Sequence, residues 1–290
     1  MTYSEIWHRI ATSYDDGEAR AIARILIEEL FGLSYADIVC GATEQLSADD
    51  TLRLDTAVRR IEQGEPLQHV LGYADFCGNR FCVNGSVLIP RPETEWLVDE
   101  GAKLMSTTAT PSPKRILDIG TGSGCIAISL KLRLGDAYVE AWDISEEALR
   151  TAQDNADALK AEVVFRKRDA LRADNTAAPW DLIVSNPPYI CDSERSAMDD
   201  NVLLHEPHTA LFVPDDDPLR FYRAIARYAL LTLNIGGSLL FECNTRYAEA
   251  TGKMLSDMGF EEVTVSDDCF GLPRFVRGSS PSQPSPSGRA

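Results

Sequence analysis

The chain has little positive charge for its size. Its 290 residues include 28 lysines and arginines against 45 acidic residues, which gives a formal net charge of −17. Proteins that bind bulk nucleic acid use clusters of lysine and arginine to neutralise phosphates. We therefore expect no direct binding of nucleic acid through a basic surface. The charge does not exclude a protein partner that itself binds RNA.

Long apolar runs and paired cysteines are missing as well. No stretch is long and apolar enough to span a membrane, and Met1–Glu5 has neither a basic start nor an apolar signal core. The seven cysteines form no Cys-x-x-Cys pair, and their number is odd. We interpret them as reduced, mostly buried residues of a cytoplasmic protein without membrane contact.

The sequence also lacks a set of side chains typical of nucleophilic or metal-assisted catalysis. We find no Ser-His-Asp or Cys-His set to assign to such chemistry. His205 and His208 stand three residues apart, but Pro207 breaks the helix that would align them. We therefore expect no metal site.

The N-terminal part of the chain shows helical periodicity. Apolar residues recur at helical spacing in Ala19–Phe31, and Gly32 is a candidate stop. Ser47 is a predicted N-cap of a further helix that ends at Gly64. The segment holds no cluster of reactive side chains. We predict that residues 1–72 form a small helical bundle. The absence of reactive side chains indicates a role in binding or support, and we expect it to be a substrate-recognition domain.

Residues 73–90 combine aromatic and β-branched residues with turn formers and predict a β-hairpin that connects two domains. Two prolines then flank Arg91 and hold it extended. Thr94 is predicted to cap a helix over Glu95–Met105. On the residues alone, a stiff linker before a capped helix is favoured over a position of Arg91 and Glu93 at the mouth of a site.

Strands and helices alternate from Arg115 onward, which predicts an α/β fold with a doubly wound, mostly parallel sheet of seven strands in residues 91–278. The predicted strands are Arg115–Ile119, Tyr138–Trp142, Glu162–Lys167, Leu182–Val184, Ser238–Cys243, Glu261–Ser266 and Leu272–Arg277. The last two have no helix between them, so we expect a hairpin with one antiparallel strand. The Ser/Pro/Gly-rich residues 279–290 are predicted to be a disordered tail.

A glycine turn, Asp118-Ile119-Gly120-Thr121-Gly122-Ser123-Gly124, follows the first of these strands. Such a turn lets a ligand approach the backbone and can present N–H groups at the start of the next helix. A dinucleotide site is the default alternative for a lone glycine motif. The spacing, however, is Gly-x-Gly-x-Gly rather than Gly-x-Gly-x-x-Gly.

Acidic residues end the next two strands. Asp143 ends the second strand, in a position suited to the two hydroxyls of a ribose. Asp169 ends the third and could accept a hydrogen bond from an adenine amino group, with Ala170 bordering the base. One such carboxylate alone would rather be a helix cap or a solvated charge. Together with Asp118 they favour a ligand cleft.

The fourth strand runs into Asn186-Pro187-Pro188-Tyr189. Because the prolines cannot donate backbone hydrogen bonds, the chain leaves the sheet in a rigid, extended form. The Asn186 side-chain oxygen and the main-chain carbonyls then become fixed acceptors beside an aromatic ring. This arrangement suits a flat group that carries an NH2. The alternative is a strand followed by a simple proline turn.

Taken together, the Asp118–Gly124 turn, Asp143, Asp169 and Asn186-Pro187-Pro188-Tyr189 resemble class I S-adenosylmethionine-dependent methyltransferases. The resemblance implies a Rossmann-like fold, with S-adenosyl-L-methionine as methyl donor and S-adenosyl-L-homocysteine as product. It also implies that the methyl acceptor is a planar NH2 group, either an amino group of adenine or cytosine in DNA or a glutamine amide.

The rest of the chain is similar to the PrmC/HemK family. The segments that carry this similarity are Gly64–Gly72, Phe76-Cys77-Gly78, Leu88–Glu95, Glu206-Pro207 and Asp268-x-x-Gly271-x-x-Arg274. Members of the family N5-methylate the glutamine of the Gly-Gly-Gln motif in class-1 peptide-chain release factors, so the similarity implies this activity and this partner. Alternatives are a DNA amino-methyltransferase, which the charge disfavours, and a non-catalytic binding protein for the same cofactor, which the intact turn, Asp143 and Asn186 disfavour.

The resemblance also assigns site residues. The predicted cofactor-binding residues are Asp118, Gly120, Thr121, Gly122, Ser123, Gly124, Asp143, Asp169, Ala170 and Asn186. The predicted catalytic residues are Asn186, Pro187 and Tyr189: the Asn186 oxygen and the Pro187 carbonyl accept the two amide hydrogens, while Tyr189 packs against the amide plane. The predicted substrate-binding residues are these three with Pro188, Arg91 and Glu93.

Overall fold

The computed structural model describes residues 1–107, 113–173 and 179–282. The chain divides into two compact units. The first comprises Met1–Tyr73 with Met198–Glu206, and the second comprises Ala74–Ala197 with Pro207–Ala290.

The helices and strands are described here in chain order. They are α1 (Tyr3–Ile10), α2 (Asp16–Phe31), α3 (Tyr35–Val39), α4 (Ala48–Glu62), α5 (Leu67–Leu71), β1 (Tyr73–Phe76), β2 (Asn79–Cys82), α6 (Glu95–Thr107), β3 (Arg115–Ile119), α7 (Cys125–Leu134), β4 (Tyr138–Asp143), α8 (Glu146–Leu159), β5 (Val163–Lys167), β6 (Trp180–Ser185), β7 (Ile190–Cys191), α9 (Asp200–His205), α10 (His208–Leu211), β8 (Phe212–Val213), α11 (Arg220–Thr232), β9 (Leu233–Glu242), α12 (Ala248–Met258), β10 (Glu261–Asp267) and β11 (Pro273–Ser279).

The first unit is a helical bundle, as the periodicity predicts. The Ser47 hydroxyl accepts from the Asp50 N–H at 3.1 Å and caps α4, while Gly32, with a φ of 67°, ends α2 in the left-handed region. The apolar faces of the helices share one buried cluster. Its members are Ile6, Ile10, Ala19, Ile22, Ala23, Leu26, Ile27, Ile38, Leu54, Ala57, Val58 and Ile61.

Strands β1 and β2 form the predicted hairpin. The turn residues Cys77 and Gly78 both have positive φ angles, 49° and 74°. This combination belongs to the two-residue turn whose twist matches that of paired strands.

The described part of the second unit contains a sheet of seven strands, in the order β10-β11-β9-β6-β3-β4-β5; we call it the large sheet. Strands β5, β4, β3, β6 and β9 run parallel, whereas β11 is antiparallel to both β9 and β10. The predicted α/β fold is confirmed, and the antiparallel strand is the second one of the terminal hairpin. The strand order reverses between β3 and β6, where open α/β sheets bind their ligands.

Both faces of the large sheet are buried. Along β6, Leu182 and Val184 pack into the core on one face, and Ile183 packs into the core on the other. Since successive side chains of a strand point to opposite faces, an unbroken apolar run is what a strand covered on both sides requires.

The predicted helix cap at Thr94 is wrong. Residues Pro92–Thr94 form a 3-10 turn that leads directly into α6, without a side-chain cap. The Thr94 hydroxyl instead donates to Glu242 Oε2 at 2.7 Å. A cap would use this hydroxyl oxygen as an acceptor for a helix N–H. Thr94 instead belongs to the 3-10 turn itself, and its oxygen lies 3.4 Å from Asn186 Nδ2.

Two further expectations need correction. The cysteines are free, but only Cys125, Cys191 and Cys243 are buried, so most of them lie outside the core. The predicted tail begins too early, because Ser279 belongs to β11 and the Ser280 N–H donates to the Gly237 carbonyl at 2.7 Å. Residues 283–290 of that tail lie outside the described residues.

Candidate active site

A cavity of about 360 Å³ opens at the carboxyl edge of the large sheet, a volume within the range of small-molecule sites. Eight predicted site residues line it together: Gly120, Gly122, Asp143, Asp169, Ala170, Asn186, Pro187 and Pro188. Their segments follow β3, β4, β5 and β6, so the strand ends meet at one edge as parallel pairing requires. The other predicted residues do not belong to its lining.

Most N–H groups of the glycine turn are already used within the protein. Gly120 and Thr121 both donate to the Trp142 carbonyl, at 2.8 and 2.9 Å, and Gly122 donates to Asp143 Oδ2 at 3.0 Å. These three N–H groups are therefore not free for a ligand, and the expectation of free N–H groups at the start of the next helix stays a prediction. Binding of a pyrophosphate would need several such donors free, so the geometry disfavours the dinucleotide alternative.

Gly124 is required by its conformation and by its packing. Its φ is +81°, and a Cβ there would lie 2.9 Å from Ile128 Cδ1 and 3.1 Å from Ala152 Cβ. The residue therefore allows α7 and α8 to approach each other closely behind the turn.

Asp118 supports the turn from inside the sheet. Its side chain is fully buried, and its Oδ2 accepts from the Thr121 hydroxyl at 2.6 Å. Burial raises the pKa of Asp118 to about 7, against the lowering effect of the Thr121 hydroxyl and the Ala127 N–H. Thr121 and Asp118 thus hold each other beneath the cavity.

Asp143 is the acceptor at the end of β4. Its Oδ2 accepts from the Gly122 N–H at 3.0 Å and its Oδ1 from the Ser145 N–H at 2.9 Å. Each carboxylate oxygen carries two lone pairs, so the carboxylate can accept further hydrogen bonds from a ligand. Burial raises the pKa of Asp143, while these N–H groups oppose the rise. The arrangement fits two neighbouring hydroxyls.

The remaining wall of the cavity suits a flat, mostly apolar group. Asp169 Oδ1 accepts from the Leu171 N–H at 2.9 Å, and Ala170 follows it in the lining. Apolar side chains complete this wall: Ile144, Leu171, Phe212, Phe221 and Ile225. The cavity thus combines hydrogen-bond acceptors that suit a ribose, apolar walls, and one further carboxylate. This combination is complementary to an adenosine.

Asn186 follows β6 on the other side of β3 from Asp143. The Ser185 hydroxyl donates to the Ile119 carbonyl at 2.6 Å and fixes the end of β6 against β3. The Asn186 Nδ2 lies 3.4 Å from Thr94 Oγ1, and its side chain lines the cavity with Pro187. Two flanking strands thus bring the Asp143 carboxylate and the Asn186 carboxamide to one cavity.

Tyr189 lies behind this segment, not in the cavity lining. Its N–H donates to the Leu211 carbonyl at 3.2 Å, and its hydroxyl donates to Glu242 Oε1 at 3.3 Å. Burial, together with the nearby Glu242 carboxylate, raises the pKa of the Tyr189 hydroxyl. Contact of its ring with a substrate amide stays a prediction.

Glu242 is a residue that the sequence analysis missed. It ends β9 with 2% of its surface exposed, and burial raises its pKa although Thr94, Arg274 and Tyr189 act to lower it. A signal was present, since this carboxylate closes the apolar run Leu239-Leu240-Phe241. The charges of the predicted residues Arg91 and Glu93 act on these same side chains. Arg91 lowers the pKa of Tyr189, and Glu93 raises the pKa of Glu242.

Asn155 on α8 is a second missed residue. It is 1% exposed, donates to the carbonyls of Ser123 and Cys82 at 2.9 and 3.0 Å, and accepts from the Cys82 N–H at 2.6 Å. One buried carboxamide therefore connects the glycine turn to β2. A lone polar residue on a mostly polar helix gave no such signal in the sequence.

The matching family models agree with this geometry. The model described as "Methyltransferase small domain" matches residues 95–211, and the one described as "PrmC N-terminal domain" matches residues 8–72. The catalytic domain of hMettl16, solved with an RNA hairpin, shares the fold, with a TM-score of 0.55, 17% identity, and coverage of 82% of this chain and 84% of that one. Fold and site define a Rossmann-like methyltransferase whose methyl donor is S-adenosylmethionine.

Curated relatives narrow the class further. The "Release factor glutamine methyltransferase" of Bacteroides thetaiotaomicron is 45% identical over 264 residues, which cover 91% of this chain and 93% of that protein. The protein of the same name from Flavobacterium psychrophilum is 38% identical, over 92% of this chain and 94% of its own length. The chain belongs to the family of release factor glutamine methyltransferases. No helix in the described ranges is long and apolar enough to cross a bilayer.

Proposed function

We propose that this protein transfers the methyl group of S-adenosylmethionine to the side-chain amide nitrogen of the glutamine in the Gly-Gly-Gln motif of class-1 release factors, in the cytoplasm. The observation that carries the proposal is the position of Asp143 and Asn186 on the two sides of β3, in the lining of one cavity. A ribose on Asp143 and an amide on Asn186 would then meet above the glycine turn.

The residues fit S-adenosylmethionine as the donor. The Asp143 carboxylate can accept further hydrogen bonds from the ribose, and the apolar wall beside Asp169 suits the adenine. The glycine turn offers no phosphate cradle, which this cofactor does not need. When bound, the cofactor supplies a strongly electrophilic methyl group on a sulfonium.

The protein itself positions the nucleophile. An amide nitrogen is a poor nucleophile because its lone pair is delocalised into the carbonyl. We assign the Asn186 Oδ1 and the Pro187 carbonyl as acceptors of the two amide hydrogens, which aims the nitrogen at the methyl group. Both acceptors also stabilise positive charge that develops on the nitrogen. The methylated nitrogen is acidic and loses a proton readily, so the site needs no strong base.

The first unit is proposed to recognise the folded release factor. A groove on this unit is lined by Leu30, Asp49, Leu52, Arg53, Thr56, Ala57, Arg60, Val70 and Leu71. Leu52 is 62% exposed there, an apolar side chain available to a protein partner. Leu52→Glu should raise KM for folded release factor and leave methylation of a short Gly-Gly-Gln peptide unchanged.

A matched control for this variant lies on the second unit. Leu132 on α7 is 41% exposed, and Leu132→Glu introduces the same charge at a residue that does not line the groove. Equal KM values for the two variants on folded release factor would contradict the proposed role of the first unit.

Mass spectrometry tests the activity directly. Purified release factor, incubated with the protein and S-adenosylmethionine, should gain one methyl group on the glutamine of its Gly-Gly-Gln motif. The Asn186→Ala variant serves as the inactive control. Cofactor binding without methylation of this glutamine would refute the proposed function and favour a binding protein.

A further inference from the structure

A chain of hydrogen bonds connects Asn186 to the buried Glu242. Asn186 Nδ2 lies 3.4 Å from Thr94 Oγ1, at the long end of the hydrogen-bond range, and Thr94 Oγ1 lies 2.7 Å from Glu242 Oε2. Thr94 is 3% exposed and Glu242 is 2% exposed. Neither residue belongs to the lining of the cavity, but both stand directly behind the carboxamide that does.

The donors and acceptors in this chain allow one direction only. While Glu242 is ionised it has no proton to give, so the Thr94 hydroxyl donates its single proton to Glu242, as the structure places it. Thr94 Oγ1 then has only lone pairs left for Asn186, and only the NH2 end of the carboxamide can face it. The oxygen end of Asn186 is therefore turned away from Thr94 and left available to the cavity.

We propose that Glu242, acting through Thr94, is a positioning residue that sets the orientation of the Asn186 carboxamide with its oxygen toward the substrate. The inference rests on the proposed function, because an oxygen acceptor at this place is useful to a substrate NH2. A carboxamide with the opposite orientation would present two N–H donors to the substrate amide hydrogens and repel them.

The free-energy cost of burying Glu242 supports a functional role. A carboxylate buried to this extent is destabilising, and burial raises its pKa, with the charge of Glu93 acting in the same direction and that of Arg274 against it. A neutral residue of similar size would fill the space at lower cost. Carboxyl groups whose pKa is perturbed by burial and by specific neighbours are common at functional sites.

A structural role makes a different prediction. The Thr94–Glu242 bond also joins the residue that precedes α6 to the end of β9, so its loss could act through stability alone. If it did, the methylation rate, the cofactor affinity and the unfolding temperature would decline together. Loss of orientation would instead reduce the rate of methyl transfer while the cofactor affinity is kept.

Two substitutions at Thr94 separate hydroxyl chemistry from shape. Thr94→Ser keeps the hydroxyl, whereas Thr94→Val keeps the volume and removes it. In single-turnover methylation of release factor we expect Thr94→Ser to stay within about threefold of wild type and Thr94→Val to lose roughly 30-fold or more, as for loss of a catalytic hydrogen bond. The affinity for S-adenosylmethionine, measured by calorimetry, should change by less than about twofold in both.

Thr94→Val alone leaves a buried carboxylate short of a donor and could unfold the protein, so a double variant completes the test. Thr94→Val with Glu242→Gln removes the charge and relieves that penalty. On our proposal the double variant recovers its unfolding temperature but stays slow, since Asn186 still lacks its acceptor. Recovery of the rate together with stability would overturn the proposal, as would equal rates for Thr94→Ser and Thr94→Val.

One readout is independent of the substrate. In wild type and Thr94→Ser, hydrogen exchange of the Asn186 side-chain NH2, followed by NMR, should be slower than in Thr94→Val. Unchanged exchange in Thr94→Val would overturn the inference even if the methylation proposal holds. Protected NH2 protons in a wild-type protein that does not methylate release factor would refute the proposed function and leave the positioning supported.

Discussion

Asn186→Ala removes the carboxamide from the cavity with little disturbance elsewhere. The hydrogen bond to Thr94 Oγ1, at 3.4 Å, is lost. The backbone stays in place because Pro187 and Pro188 stiffen it and because the Ser185 hydroxyl holds β6 to the Ile119 carbonyl at 2.6 Å. We therefore expect a folded variant whose affinity for S-adenosylmethionine is nearly that of wild type.

The loss of activity follows from one missing acceptor in the transition state. A substrate N–H left without a partner in a site that excludes water loses about 2–4 kcal/mol of transition-state stabilisation, or roughly two to three orders of magnitude in rate. Asn186→Asp keeps the shape and the acceptor, but it cannot donate to Thr94. Its charge stabilises the bound sulfonium before transfer, which does not accelerate the step. We expect partial activity for Asp and near inactivity for Ala.

Single-turnover methylation of release factor measures the transfer step, and calorimetry measures cofactor affinity separately. A near wild-type rate for Asn186→Ala would refute the acceptor role. It would show that Asn186-Pro187-Pro188-Tyr189 serves only as a turn. A large loss of cofactor affinity in the same variant would show that the carboxamide acts on the cofactor instead.

Three further predictions concern the cofactor site and its support. Asp143→Ala should weaken binding of S-adenosylmethionine by about 2–3 kcal/mol, since it removes a charged acceptor from two hydroxyls, and unchanged affinity in a folded variant would exclude the ribose role. Burial raises the pKa of Asp118 from 3.8 to about 7. Its protonated form therefore stabilises the folded state fully below pH 3.8, and this contribution is lost as pH rises from there through 7. Asp118→Asn should gain stability relative to wild type between about pH 4 and about pH 7 in urea titrations, by on the order of 4 kcal/mol at most, and gain little more above that range. Gly124→Ala should lower the free energy of unfolding by about 2–4 kcal/mol, because its φ is positive and its new Cβ would overlap neighbouring side chains. Gly32→Ala, with φ +67° but open space around its Cβ, should lower it by only about 1 kcal/mol. Equal losses for the two variants would show that the overlap with α8 relaxes freely.

Much of the fold is readable from the sequence because its signals are local. Apolar periodicity, the cap at Ser47 and the stop at Gly32 depend on residues within a few positions of one another, and the structure has those features where the pattern predicts them. The same holds for the strand ends at Asp143 and Asn186, which share an edge as soon as the strands are parallel. The methyltransferase family could be inferred from the sequence for the same reason, because its motifs are short runs of neighbouring residues.

Tertiary structure decided the features that join distant parts of the chain. Strand order and the reversed direction of β11 follow from pairing between strands that no local pattern specifies. The Trp142 carbonyl takes the N–H groups of Gly120 and Thr121, which a reading of the glycine turn alone leaves free for a ligand.

The clearest case is Thr94. Its sequence position suggests a helix cap, yet its hydroxyl reaches Glu242, 148 residues away, and its remaining lone pairs face Asn186. A hydroxyl has one proton, and the strongest acceptor within reach receives it. The sequence supplied the hydroxyl, the carboxylate and the carboxamide, but only the packing of α6 against the large sheet determined which of them meet, because burial excludes the water that would otherwise satisfy each one separately.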